Sequence, residues 1–226
     1  CEQGRNFANK VWNAFRLIKG FMVEDIKQTE AQKEAILGFE IRFSEQLELI
    51  NDNYSKYRMS DALMKTIKLF WDDFCAWYLE AIKPDFIDGQ AQPIDKSTYQ
   101  TTINFLEQLM VIIHPWMPFI TEEIWQSIAP LAGKKGASLM IQAYPKPDAD
   151  KKDPCAEENL AWLKAIVNTL RTLRSEMNIA PGKKIPLLFY KGNAKDRENS
   201  QLFLNEIINL AKITSLKWIN EEEKIA

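Results

Sequence analysis

The sequence predicts a mainly α-helical protein: an up-and-down helical bundle over residues 1–150, followed by a small α/β module over residues 151–226. Three observations support this fold class. Apolar residues recur every three or four positions along the first two thirds of the chain, which is the spacing of a buried helix face. Short stretches rich in proline, glycine, aspartate and lysine separate these repeats. In the last third, two short apolar runs with strand character alternate with helical patterns.

Composition narrows the class of function. The chain has 226 residues, 46% hydrophobic and 27% charged, with a net charge of −2, so any affinity for nucleic acid must come from a local patch. No run approaches the roughly 20 apolar residues of a membrane helix, and no signal peptide is present, so we expect a cytoplasmic protein that binds no membrane. The three cysteines lack C-x-x-C spacing, and His114 is the single histidine. We therefore expect no metal and no catalytic site.

The first helix is predicted over residues 2–21. Its buried face is expected to carry an apolar stripe made of Phe7, Val11, Ala14, Phe15, Ile18 and Met22. The opposite face carries polar groups, namely Asn6, Asn9, Asn13 and Arg16, with Lys10 beside them. Three asparagines on one face need a reason, because asparagine is a middling-to-poor helix former. At the edge of this face Trp12 lies among cations, which suits base stacking and phosphate contact.

Two interpretations of this polar face are open at the level of sequence. In one, the amides, Trp12 and the flanking Arg5, Arg16 and Lys19 contact RNA. In the other, the asparagines bridge to a neighbouring helix and Trp12 belongs to the core, since buried polar groups are normally hydrogen-bonded.

Further helices are predicted over residues 31–52, from Ser60 as N-cap to just before Pro84, over residues 97–113, and up to about residue 131. The third of these five helices is dense in aromatics. Its carboxylates, Asp72, Asp73 and Glu80, are expected on a solvated face rather than at a metal. Cys75 is expected to be a buried, inert thiol.

The stretch 114–125, HPWMPFITEEIW, predicts a sharp helix-helix corner. Pro115 biases the preceding residue away from helix, and Pro118 suits a first helical turn. Glu122 and Glu123 are expected near the positive end of the new helix, where carboxylates are favoured. The surrounding apolar residues predict that the corner plugs the base of the bundle.

The last third is predicted as an extended segment over 138–144, a boundary up to about 154, helix 155–177, strand 185–190, helix 198–212 and strand 215–219. Helix 155–177 carries a second polar face with Lys164, Asn168, Arg171 and Arg174. Two strands make a marginal sheet, so we expect its edges to be open or paired with a neighbouring molecule.

Four stretches resemble one known family. The corner HPWMPFITEEIW resembles that of the anticodon-binding helical domain of class I aminoacyl-tRNA synthetases for valine, isoleucine and leucine. The opening GRNFANKVWNA at 4–14 is more similar to the valine-specific members. The same holds for the pattern W-x-x-F-C-x-W-Y-x-E at 71–80 and for LRSEMNIAP at 173–181. The resemblance covers nearly the whole chain.

The resemblance implies a function that no residue here shows by itself. It implies binding of valine tRNA by part of an ATP-dependent ligase that attaches valine to its tRNA. The nucleotide site, its signature motifs and the editing domain lie upstream in the family, so this chain is expected to be a piece that contains no cofactor and no catalytic site. Its other partners would be the enzyme's own catalytic and editing domains. The alternatives are an isoleucine or leucine enzyme's domain, or a non-enzymatic helical scaffold that binds protein.

From the two polar faces and the resemblance together, we predict a tRNA-binding surface. Its predicted members are Arg5, Asn6, Asn9, Lys10, Trp12, Asn13, Arg16, Lys164, Arg171 and Arg174. Asparagine pairs well with an adenine edge, and arginine and lysine suit phosphates.

Overall fold

Helices dominate the computed structural model, which describes residues 2–84, 86–87, 90–148, 154–180 and 182–220. The chain divides into two units, Cys1–Lys152 and Asp153–Ala226. The first is a helical bundle and the second a small α/β module, which confirms the predicted fold class. Among the described residues, no helix is both long enough and apolar enough to cross a bilayer.

The first unit is built from helices joined by connecting segments, and its described residues include two short strand pairs. Its elements in chain order are α1 (Glu2–Lys19), β1 (Val23–Glu24), α2 (Glu30–Ser55), α3 (Met59–Lys68), a π-helix (Leu69–Tyr78), α4 (Leu79–Ile82), β2 (Phe86–Ile87), β3 (Gln90–Ala91), β4 (Ile94–Asp95), α5 (Lys96–Ile113), α6 (Pro118–Ile128) and a 3₁₀ turn (Leu139–Ile141). β1 pairs in parallel with β4, and β2 pairs antiparallel with β3.

Local signals explain where several helices begin. The α2 N-terminus carries a capping box in which Thr29 and Gln32 satisfy each other's backbone N–H groups. Asp95 accepts a hydrogen bond from the Thr98 amide at 2.8 Å and caps α5. Pro118 is the first residue of α6, as predicted. The third helix begins at Met59, and the predicted N-cap Ser60 lies inside it.

The core of the bundle is aromatic. The ring of Phe39 on α2 lies 5.3 Å from that of Phe74, 5.1 Å from that of Tyr78 and 4.9 Å from that of Phe105. The α1 stripe is buried from Phe7 to Ile18 as predicted, but Met22 is exposed because the chain leaves the helix at Gly20. Such ring pairs add stability beyond the area they bury.

The third predicted helix is not uniform. A π-helix replaces its middle, and the amide of Leu79 bonds to the carbonyl of Phe74, five residues back. Asp73 is buried rather than solvated, because the Arg42 guanidinium on α2 lies 3.3 Å from its carboxylate. Cys75 is buried as predicted, and burial raises the pKa of its thiol to about 12. No cluster of metal-ligating side chains occurs within the described ranges.

The corner between α5 and α6 is partly as predicted. Trp125 and Ile124 are fully buried, but Phe119 is 91% exposed and does not plug the bundle. Glu122 lies beyond the first turn of α6, and its carboxylate instead accepts hydrogen bonds from the Ser138 hydroxyl at 2.9 Å and the Leu139 amide at 3.0 Å. These bonds hold residues 139–141 in a 3₁₀ turn, where an extended segment was predicted.

The second unit contains α7 (Pro154–Glu176), β5 (Ile185–Tyr190), α8 (Ala194–Leu202), α9 (Leu204–Ala211) and β6 (Ile213–Ile219). β5 and β6 pair in parallel, with Leu187 opposite Leu216. The segment predicted as one helix over 198–212 forms parts of two helices, α8 and α9. Helix α8 starts after a capping box at Asn193. Leu163 and Val167 of α7 are buried in this unit, as are Ile207 and Leu210 of α9.

Candidate nucleic-acid interface

The polar face of α1 is exposed. Asn6, Asn9 and Asn13 all point to solvent, and none forms a side-chain hydrogen bond with another residue that the structure describes. The interpretation in which these asparagines bridge to a neighbouring helix is therefore wrong. Their amides keep both donor and acceptor groups available to a ligand.

Cations border the asparagines. Arg5 and Arg16 are exposed, and within the described part of the chain neither takes part in an ion pair. Lys10 is half-buried, and its Nζ lies 5.6 Å from the centroid of the Trp71 ring, in a cation–π contact with the start of the π-helix. Two free guanidinium groups and one partly engaged ammonium therefore flank the amide row.

Trp12 lies at the edge of this face. Its ring packs on Phe15, with centroids 5.4 Å apart and planes tilted by 55°, and the side chain is still 37% exposed. The interpretation of Trp12 as a core residue is wrong for this reason. A ring that is braced on one side and open on the other suits stacking of a base.

The second predicted set lies on α7, in the other unit. Lys164 is half-buried and Arg171 is exposed, with Arg171 Nη2 3.5 Å from the carbonyl of Leu210. Arg174 is only 8% exposed. Its guanidinium donates to the carbonyls of Ala180 at 3.0 Å, Lys183 at 2.6 Å and Lys212 at 3.3 Å.

The prediction of Arg174 as a phosphate contact is corrected by this geometry. The guanidinium satisfies carbonyls at the end of α7 and before β5 and β6, so it holds the module together. The sequence pattern placed Arg174 on a polar helix face with Arg171, but burial of that turn could not be read from spacing alone. Arg174 is therefore a structural residue.

Sequence reasoning missed one neighbour of the α1 face. Trp71 stacks against Phe7, with ring centroids 6.3 Å apart and planes at 16°, and it carries Lys10 above its ring. Sequence patterns gave Trp71 no role beyond its place in an aromatic-dense stretch, and in the structure it is half-buried. The signal that was available is the pair of lysines, Lys65 and Lys68, in the turns just before it.

Comparison with known proteins gives these features a context. A family model described as the anticodon-binding domain of tRNA ligase matches residues 39–189, about two thirds of the chain. Helix α1 precedes the matched segment. The alignments with individual relatives extend over nearly the whole chain and so include most of α1.

The relatives are proteins named valine–tRNA ligase. That of Parabacteroides distasonis is 41% identical over 98% of this chain, which is 24% of its own length. That of Phocaeicola vulgatus is 46% identical over 83% of the chain and 20% of its own length. That of Coxiella burnetii is 34% identical over 97% of the chain and 24% of its own length. The chain thus spans about a quarter of the length of these relatives, and its similarity to the valine enzymes is confirmed.

A helical bundle with an exposed row of amides and cations, together with a family match across most of that bundle, leads to one assignment: the chain belongs to the anticodon-binding domain family of tRNA ligases.

Proposed function

We propose that this chain is the tRNA-binding part of a valine–tRNA ligase and that the exposed face of α1 reads the anticodon of valine tRNA. The observation that carries the proposal is the row of Asn6, Asn9 and Asn13, exposed and without partners among the described residues. Valine anticodons end in adenine and cytosine, and asparagine makes two-pronged hydrogen bonds with adenine. The relatives named valine–tRNA ligase support valine over isoleucine or leucine.

Each group on α1 has a physical role in this proposal. The asparagines read base edges, Trp12 stacks on a splayed loop base, and Arg5, Lys10 and Arg16 hold phosphates. Lys164 and Arg171 on α7 contribute further phosphate contacts in the second unit. Phosphate contacts supply affinity that falls with salt, whereas edge contacts supply the choice of sequence.

The remaining steps of the reaction are assigned elsewhere. Activation of valine with ATP and its transfer to tRNA belong to the catalytic domain of the parent enzyme. That domain and the editing domain are proposed partners of this chain. The cytoplasm, where tRNA is charged, is the proposed location.

The test compares two RNAs on one protein. Binding of the 226-residue chain is measured for a valine tRNA transcript and for the same transcript with its anticodon adenine replaced, across a salt titration. We expect tighter binding of the unaltered transcript and a steep loss of affinity for both as salt rises. Equal affinity for the two transcripts would contradict anticodon reading. Salt-insensitive binding to a protein, with no tRNA binding, would favour the helical scaffold instead.

A further inference from the structure

An open groove of about 460 Å³ runs along α3 and the start of the π-helix. We call it the α3 groove, and it is lined by Met64, Lys65, Ile67, Lys68, Trp71 and Asp72. Met64 is 63% exposed and contributes apolar surface to the groove. The groove thus presents apolar surface and charge together.

The α3 groove adjoins the polar face of α1. Trp71, which lines the groove, packs on Phe7 and lies under the ammonium of Lys10. On a helix with about 100° between successive residues, Lys10 lies about 40° from Asn6, at the margin of the amide row. A chain that crosses the amides therefore reaches the groove by passing Lys10.

The charge of the groove favours an anion. Lys65 and Lys68 line it, and neither forms an ion pair within the described ranges. With Lys10 they make three cations against one carboxylate, Asp72. The floor, formed by Met64, Ile67 and Trp71, offers apolar and aromatic surface to a flat ring. An apolar protein helix would match the floor but not the three cations.

We propose that the α3 groove is a second nucleotide subsite, which holds one single-stranded nucleotide next to those read by α1. The phosphates on the two sides of this nucleotide contact Lys65 and Lys68, one each, and its base lies over Met64 and the exposed part of Trp71. The subsite adds affinity without choosing a base, because neither stacking nor phosphate contact depends on sequence. This inference rests on the proposed function, since it places the groove on the path of the same RNA.

The first experiment removes charge. The double variant Lys65→Gln, Lys68→Gln is compared with Lys33→Gln, Lys56→Gln, which removes two exposed lysines that pair with acids on α2. With the valine tRNA transcript, the first variant should reduce the salt slope by about 1.4, from about 0.7 for each lost phosphate contact with a single strand. The control should change it by less than half of that. Equal changes in the two variants would overturn the proposal.

The second experiment looks for tighter binding of the tRNA transcript. Asp72→Asn removes the one carboxylate of the groove and should tighten binding severalfold, a result that damage to the fold does not produce. Glu123→Gln, an exposed carboxylate on α6, is the matched control and should leave binding unchanged. Met64→Ala should weaken binding of the unaltered and the altered transcripts by the same factor. Unchanged binding by Asp72→Asn, or a Met64→Ala effect confined to one transcript, would contradict the subsite.

These outcomes separate the two proposals. If the wild-type chain does not distinguish the two transcripts, anticodon reading by α1 has failed, whatever the groove does. If it distinguishes them and the groove variants match their controls, the subsite alone has failed. If the groove instead binds an apolar protein helix, the lysine variants leave the salt slope for tRNA unchanged.

Discussion

Asn9 and Asn13 are exposed, so their effect on tRNA binding can be measured separately from any effect on stability. Replacing either by alanine should cost about 1 to 3 kcal/mol in binding the valine anticodon, because the two-pronged contact to adenine is lost. The loss should be small for a transcript already altered at that base. The melting temperature should not fall, since neither side chain bonds to a described residue and alanine is the better helix former. Affinities for both transcripts and melting curves, with Asn104→Ala on α5 as control, check this. An unchanged ratio for both variants would remove α1 from the recognition surface.

For Arg174 we expect the opposite: its replacement should lower stability and leave the salt slope for tRNA unchanged. Arg174→Met should lower the free energy of unfolding of the second unit by about 2 to 4 kcal/mol, because three carbonyls lose a charged donor. Urea unfolding measures this loss. The exposed neighbour variant Thr172→Ala should stay within about 0.5 kcal/mol of wild type. A stable Arg174→Met variant with a reduced salt slope for tRNA would restore Arg174 to the RNA surface.

The carboxylate of Glu122 should make the stability of the protein depend on pH. Burial would raise the pKa of Glu122, but hydrogen bonds from Gln126, Ser138 and Leu139 outweigh it and hold the pKa below its ordinary value. A depressed pKa adds stability when the group is ionised, and that stability is lost as the pH falls through the depressed value. Wild type should therefore exceed Glu122→Gln in stability most clearly above about pH 5, with the difference shrinking in acid.

Unfolding by urea at several pH values tests this expectation. Glu123→Gln is the control, because Glu123 is exposed on the same helix and should show no such trend. A difference between wild type and Glu122→Gln that stays constant down to acid would show that the bonds to the 3₁₀ turn do not depend on the charge.

The strand β5 is expected to be the least stable of the regular elements against local opening. In the described part of the second unit it pairs only with β6, and a two-stranded sheet is marginal in water. Amides of β5 should therefore exchange with deuterium much faster than those of α5, whose residues from Leu109 to Ile113 are buried. Exchange measured at two protein concentrations checks this. Protection equal to that of α5 at low concentration would contradict an open sheet.

At the scale of the whole molecule, the net charge of −2 makes RNA binding a local matter. If the α1 cations alone contact single-stranded phosphates, three of them predict a slope of log affinity against log salt near about −2. If either the α3 groove or the α7 pair Lys164 and Arg171 also contributes, five cations predict about −3.5, and if both contribute, seven predict about −5. Binding measured between about 50 and 200 mM salt distinguishes these slopes, and the variants of the α3 groove show which pair is responsible. A slope near zero would exclude phosphate contact as the source of affinity.

The spacing of apolar residues and the positions of proline and glycine were enough to predict the helical bundle, the strand at 185–190 and the start of α6 at Pro118. These features depend on local chemistry, such as the buried stripe of α1 from Phe7 to Ile18 and the fixed φ of proline. The resemblance carried by residues 4–14 and 114–125 was enough to indicate the family. The polar row on α1 was also visible, because helix geometry alone places Asn6, Asn9 and Asn13 together.

Tertiary packing decided what spacing leaves open. Whether a polar helix face meets solvent depends on which elements pack over it, so the α1 asparagines proved exposed and Arg174 proved buried. The same reason accounts for Asp73, which lies against Arg42 from a helix far away in sequence, and for the π-helix around it. The α3 groove adjoins the polar face of α1 only because Phe7 packs on Trp71, a contact between residues more than sixty positions apart. Local sequence specifies the faces of each helix, and only the packed chain determines which faces remain open to a ligand.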